Sequence, residues 1–280
     1  MSPPGAHAGA ALSAIGRRFR ARAIEGRAAL VPYLTAGFPE PEVTVPMMEA
    51  AADVGADVIE LGIPFSDPLA DGPTIQRSSF LSLQRGTSVE GVLEVVRQFR
   101  SRRDTPVVVF TYLNPVLRRG LEQFCTEAAE AGADGILVTD LPVGTDPALE
   151  EAARGVGLDW IRLLAPTTPR ERVPLVAEGG SGFLYYISRT GVTGARAQLR
   201  AELAEEIAAL RGLVSLPIAV GFGISTPEQA RVVAAVADGV VVGSALVDRL
   251  EREGVAGAAG FLRTLREGID QAADDRRRSP

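Results

Sequence analysis

The chain has 280 residues, 46% hydrophobic and 23% charged, with a formal charge of −6: enough apolar material for one large core, and a single α/β barrel takes about 250 residues. It contains no lysine, all 29 basic residues being arginine, which excludes a lysine Schiff base and a P-loop. One histidine, His7, and one cysteine, Cys125, argue against a His-based catalytic pair and a zinc site and forbid an intrachain disulfide, so acid–base chemistry falls to Asp, Glu or Tyr.

Residues 1–11 are rich in Pro, Gly and Ala and read as a disordered start. The run Gly16-Arg17-Arg18-Phe19-Arg20 has the look of a twin-arginine signal, but Arg22, Glu25 and Arg27 interrupt any apolar stretch behind it. It reads instead as a basic amphipathic helix covering one end of a domain. No segment approaches the length of a membrane span, and a cytoplasmic location is expected. Residues 273–280, ending in three arginines before Ser279, read as a charged, disordered tail.

Between these ends, short apolar runs recur at Leu30–Leu34, Val58–Leu61, Pro106–Phe110, Ile136–Val138, Trp160–Leu164, Phe183–Ile187, Pro217–Val220 and Val240–Val242. Each is too short for an ordinary helix and has the Val/Ile-rich composition of a buried parallel strand. Helical stretches such as Glu90–Arg100, Leu121–Ala131 and Ala201–Arg211 separate them. Pro46 is expected to delay or kink the first of the intervening helices. Gly55-Ala56-Asp57, Gly132-Ala133-Asp134 and Ala237-Asp238-Gly239 echo one another, each read as a glycine ending a helix before a strand. Eight such units predict a (β/α)8 barrel over residues 12–272 with an extra N-terminal helix. No GxGxxG follows the first strand, which disfavours an open dinucleotide-binding sheet.

In a barrel the active site lies at the C-terminal ends of the strands and in the loops behind them. Glu60 is a carboxylate inside the apolar run Val58-Ile59-Glu60-Leu61-Gly62. It must have either a partner or a raised pKa, and a raised pKa suits a general acid. The following loop, Ile63-Pro64-Phe65-Ser66-Asp67-Pro68-Leu69-Ala70-Asp71-Gly72-Pro73, offers Asp67 and Asp71 as a second acid or base, or as ordinary turn residues. Tyr112, Asn114 and Asp140 end the third and fourth strands at the same mouth. The sixth unit ends in a Gly/Ser/Thr-rich loop, Ser188–Ala195, suited to a lid. The seventh and eighth end in Gly221-Phe222-Gly223-Ile224-Ser225-Thr226-Pro227 and Gly243-Ser244-Ala245, where barrels commonly bind phosphate on backbone N–H groups. Cys125 and Trp160 read as core packing.

Three of these segments carry a resemblance. Glu60-Leu61-Gly62-Ile63-Pro64-Phe65-Ser66-Asp67-Pro68-Leu69-Ala70-Asp71-Gly72-Pro73 resembles the signature of the tryptophan synthase alpha subunit family. So do Ser188-Arg189-Thr190-Gly191-Val192-Thr193-Gly194 and Gly221-Phe222-Gly223-Ile224-Ser225. The resemblance runs from about Ala14 to about Glu253. It implies a (β/α)8 barrel that cleaves indole-3-glycerol phosphate to indole and glyceraldehyde 3-phosphate, with no metal or cofactor in this chain. It also implies a beta subunit partner that carries PLP, receives indole through a tunnel and completes an alpha2beta2 complex.

Residue by residue, the resemblance makes Glu60 the acid/base at indole C3 and the glycerol hydroxyl. It makes Asp71 the partner of the indole N–H, with Tyr185 beside them. Tyr33, Phe110, Leu137 and Phe222 match the apolar indole pocket, Tyr112 lines it, and Thr193 contacts Asp71 when the lid closes. Gly194, Gly223, Gly243 and Ser244 match the phosphate-binding positions, and Pro64, Asp67 and Asn114 the face that meets the beta subunit. Phe38, where the family often has an acidic residue, and Gly144-Thr145-Asp146 depart from the pattern, and both are expected to bear on partner contact. A stand-alone lyase, another phosphate-binding barrel isomerase and a non-catalytic activator of a beta subunit are the competing readings. The intact Glu60/Asp71 pair speaks against the last two.

Overall fold

The computed structural model describes residues 12–144, 147–188, 196–221 and 223–278. The strands are β1 (Ala29–Thr35), β2 (Ile59–Gly62), β3 (Val107–Thr111), β4 (Gly135–Val138), β5 in two segments (Asp159–Trp160 and Arg162–Leu164), β6 (Leu184–Ile187), β7 (Ile218–Gly221) and β8 (Gly239–Val242). Every described pairing is parallel, each strand against its sequence neighbour and β8 against β1. The first segment of β5 pairs with β4 and the second with β6, so the sheet closes through β5 at Ile161. This is the (β/α)8 barrel read from the sequence, and each predicted run lies on a strand to within a residue or two.

Alternation along the strands sorts the side chains. Ala29, Val31, Val108, Leu137, Ile161, Phe183, Ala219 and Val241 pack together inside the barrel. Their neighbours, among them Leu30, Ile59, Leu61, Val109 and Val240, pack outward against the helices. The helix Ala14–Ile24 brings Ile15 and Phe19 into the inner cluster, with the Phe19 ring stacked 5.1 Å from that of Phe183. It covers the end of the barrel opposite the site.

The three sequence echoes have one physical cause. Asp57, two residues before the start of β2, accepts the N–H of Leu30 in β1 at 2.9 Å. Asp134 before β4 does the same for Val107 in β3 at 2.9 Å, and Asp238 before β8 for Ile218 in β7 at 2.8 Å. In each case the aspartate satisfies a donor at the start of the preceding strand: the first residue of β3 and β7 and the second of β1. The glycines are not equivalent, however. Gly55 and Gly132 have φ of 91° and 95° after their helices, whereas Gly239 is the first residue of β8. The expectation of a helix-ending glycine therefore fails at the third echo.

Other expectations sharpen. Pro46 lies in the first turn of the helix Thr44–Asp53, where a missing N–H costs nothing, and a 3-10 turn Pro41–Val43 precedes it. The helix expected at Ala201–Arg211 begins at Arg196. Cys125 and Trp160 are buried, as expected for packing. The tail does not behave as predicted. The last helix runs from Ser244 to Arg278, broken at Gly254, and Ala272 and Ala273 are buried against the barrel. The alanines among the late charges supply an apolar face that the run of arginines obscured. Residues 1–11, with His7, lie outside the described residues.

Candidate active site

Register places Glu60. It pairs with Tyr33 in β1 and with Val108 in β3, and Val108 faces the barrel interior. Glu60 therefore points inward too, and it is 1% exposed. Its Oε1 has no hydrogen-bond partner among the described residues. Burial alone pushes its carboxyl up from the ordinary 4.5 to about 8. Among the described residues no cation compensates it, so near neutral pH it is a neutral acid.

Two close approaches fix the aromatic walls. A Cβ on Gly62 would sit 2.1 Å from the Tyr33 Oη, so only glycine at the end of β2 lets this phenol lie across the strand. A Cβ on Gly221 would sit 2.5 Å from the Tyr185 Oη and 2.9 Å from the Val241 Cβ. Tyr33 meets Phe110 edge to face at 5.1 Å. Behind it lie Phe38, Ile75 and Val247. Phe38 is thus 1% exposed and packs behind Tyr33, which corrects the expectation that it bears on partner contact. Gly144 is exposed; residues 145 and 146 lie outside the described residues.

Burial raises the phenols of Tyr33 and Tyr185 well above their usual range, and the carboxylates of Glu60 and Asp71 raise both further. The two acids and the two phenols, from β1, β2, β6 and the loop after β2, therefore share one space. Leu137 is fully buried in β4, and Phe110 is half-buried in β3.

Asp71 is half-buried in that loop. Its Oδ2 accepts the Tyr112 hydroxyl at 3.0 Å, and the Tyr112 oxygen in turn accepts the Ala70 N–H at 3.1 Å. Burial raises the Asp71 carboxyl and the Tyr112 hydrogen bond draws it back down. Asp71 also closes a turn through its N–H to Pro68 O, so the turn reading and the functional one coexist. Asp67 is exposed and accepts the Ser66 hydroxyl at 2.5 Å. Asn114 is exposed, and Pro64 is buried. Asp140 accepts the Leu113 N–H at 2.7 Å and so anchors the start of the helix carrying Asn114.

At the far side, Thr226 caps the helix Pro227–Ala234 with a full capping box. The Gln229 Oε1 takes the N–H groups of Ser225 and Thr226 at 2.7 and 3.1 Å. Those amides are therefore spent on the fold. Gly223 has φ of 67°. Gly243 has nothing closer than 3.8 Å to where a Cβ would be. Thr193, Gly194 and Phe222 lie outside the described residues.

Sequence reasoning missed Phe65, whose ring stacks 5.1 Å from that of Tyr112, and the Thr35–Ser78 hydroxyl pair, 2.7 Å apart. Thr35 also donates to the Tyr33 oxygen at 3.5 Å. Nothing in spacing signals such pairs, which join residues 43 and more apart in the chain.

A family model described as tryptophan synthase alpha chain matches residues 19–272. The tryptophan synthase alpha chain of Novosphingobium aromaticivorans is 46% identical over 255 residues, covering 91% of this chain and 96% of that one. That of a Geobacter species is 47% identical over 262 residues, covering 92% and 98%. Among solved structures, tryptophan synthase subunit alpha of Legionella pneumophila superposes with a TM-score of 0.85 at 38% identity, covering 93% of this chain and all of that one. A tryptophan synthase structure from Mycobacterium tuberculosis gives 0.85 at 37%, covering 92% and 99%.

Proposed function

The chain belongs to the tryptophan synthase alpha chain family, and from that premise we propose that Glu60 and Asp71 carry out its reaction. The reaction is the cleavage of indole-3-glycerol phosphate to indole and glyceraldehyde 3-phosphate in tryptophan biosynthesis. The chain uses no cofactor of its own and works in an alpha2beta2 complex with a beta subunit that holds PLP. A cytoplasmic location is part of the proposal. Among the described residues no helix is long and apolar enough to cross a membrane.

Expelling indole C3 as a carbanion is prohibitive, so a proton must reach C3 before the bond to the glycerol chain breaks. Neutral Glu60 donates it. The positive charge that then develops at the indole nitrogen is met by ionised Asp71, which accepts the N–H. The Glu60 carboxylate takes the proton of the adjacent glycerol hydroxyl. The C–C bonding pair moves into the C2–C3 double bond, the iminium electrons return to nitrogen, and the hydroxyl carbon becomes the aldehyde. Glu60 ends protonated, ready for another turn. One neutral and one ionised carboxyl in contrasting surroundings suit these two tasks. The observation that carries this reading is the buried Oε1 of Glu60, without a hydrogen-bond partner among the described residues, with its carboxyl raised to about 8.

The indole ring is held by Tyr33, Phe110, Leu137 and Phe222, with Tyr112, Tyr185 and Thr193 around its edge. The phosphate rests on the backbone at Gly194, Gly223, Gly243 and Ser244, the last at a helix start where N–H groups lack partners within the helix. Pro64, Asp67 and Asn114 belong to the face toward the beta subunit. The test is indole release from indole-3-glycerol phosphate with and without added beta subunit. Slow release that rises by orders of magnitude with the partner is expected. Absence of release in both cases would overturn the assignment.

A further inference from the structure

We propose that Tyr112 is a positioning residue that holds Asp71 in its working pose by binding the carboxyl and the loop backbone with one oxygen. The inference rests on the role of Asp71 given above. The loop Ile63–Gly72 has few internal anchors near its end: a turn from Asp71 N–H to Pro68 O at 3.0 Å and the Gln76 amide on Asp71 O at 2.9 Å. Both hold the backbone and leave the carboxyl free to turn. The phenol of Tyr112 supplies the missing restraint. It donates to Asp71 Oδ2 at 3.0 Å while accepting the Ala70 N–H at 3.1 Å, so consecutive loop residues are pinned to one atom.

That atom is itself well held. Tyr112 is 4% exposed, lies directly after β3 and sets the N-terminus of the helix Leu113–Arg119. Its ring stacks on Phe65 from the opposite stem of the same loop, at 5.1 Å and 30°. The hydroxyl takes one carboxylate oxygen and leaves Oδ1 for the indole N–H. Charge-assisted hydrogen bonds of this kind are the strong ones and fix geometry as well as charge. A carboxyl free to rotate about its side-chain bonds would meet the developing positive charge in only part of its conformers. The contact also bears on titration. The groups facing Asp71 are Glu60 from β2, Tyr33 from β1, Tyr185 from β6 and Tyr112. Burial resists a negative charge on Asp71, and the Tyr112 hydroxyl favours it.

The test compares indole release by the wild type, Tyr112→Phe, Asp71→Asn and the double variant across pH, in complex with the beta subunit. Phenylalanine keeps the ring that stacks on Phe65, and thermal unfolding run on the same samples reports the fold. Tyr112→Phe is expected to lower kcat roughly tenfold, the usual effect of losing one hydrogen bond to a charged group, with little change in KM. The acid limb of its kcat/KM profile moves to higher pH, because Asp71 loses the donor that stabilises its ionised form. A purely structural role would not move that limb. In the Asp71→Asn background the tyrosine substitution is expected to cost almost nothing further. Wild-type kcat with an unmoved acid limb in Tyr112→Phe overturns the proposal while leaving the role of Asp71 intact. An undiminished tyrosine effect in the double variant overturns it likewise. Full turnover by Asp71→Asn alone overturns the role of Asp71 and the proposal with it.

Discussion

Replacing Glu60 by glutamine should make the protein more stable, and increasingly so as pH rises. Folding lifts the Glu60 carboxyl from 4.5 to about 8, so in that window the folded chain holds a proton that the unfolded chain has released. The sign follows from linkage: stability falls with rising pH wherever the native state binds more protons. Each pH unit costs about 1.4 kcal/mol, so the displacement amounts to about 5 kcal/mol above the folded value. Glutamine cannot ionise and escapes the loss. The advantage of Glu60→Gln over the wild type should be about 0.8 kcal/mol at pH 5 and about 4 kcal/mol at pH 8. The buried amide adds its own cost, independent of pH, so the slope is the quantity to read. Urea unfolding of both proteins, followed by far-UV circular dichroism from pH 5 to pH 8, measures it. A stability difference that stays flat across this range, or grows toward acid, would refute the assignment of a buried neutral carboxyl.

The same carboxyl sets an alkaline limb on activity. Because Glu60 must start protonated, kcat/KM for indole-3-glycerol phosphate should decline above about pH 8, and a profile level to pH 10 would contradict this. Gly62→Ala puts a methyl 2.1 Å from the Tyr33 hydroxyl. It should cost about 2 kcal/mol of stability and raise KM by displacing the ring, both read from thermal unfolding and steady-state kinetics. Gly243→Ala meets nothing closer than 3.8 Å, so its stability should stay within about 0.5 kcal/mol of wild type. Its KM should nevertheless rise, because a methyl would stand where the phosphate approaches the backbone; an unchanged KM would remove Gly243 from the phosphate site.

The barrel was legible because parallel strands buried on both faces must be short apolar β-branched runs, and the chain spells eight of them. Glu60 stood out for the same reason: a carboxylate in such a run needs an explanation. The Gly-Ala-Asp echoes were visible as pattern, but their meaning, an aspartate serving a donor at the start of the previous strand, is a contact across some 20 to 27 residues that no local rule yields. The departure at Phe38 points to partner contact in the sequence, and only the packing of Ile75 and Val247 around it reveals a buried wall. The charged tail hid a helix because its apolar face rests on a few small residues such as Ala272 and Ala273. The bond between Tyr112 and Asp71 joins residues 41 apart and depends on how the loop folds back over β3.

The most direct measurement is indole release from indole-3-glycerol phosphate by Glu60→Gln beside the wild type, both saturated with the beta subunit and at pH 7. Glutamine preserves shape and burial but cannot donate a proton to C3. kcat is expected to fall about a thousandfold, within the range for removal of a general acid, in a protein that unfolds no more readily than wild type. A glutamine variant that releases indole within tenfold of the wild-type rate would contradict it.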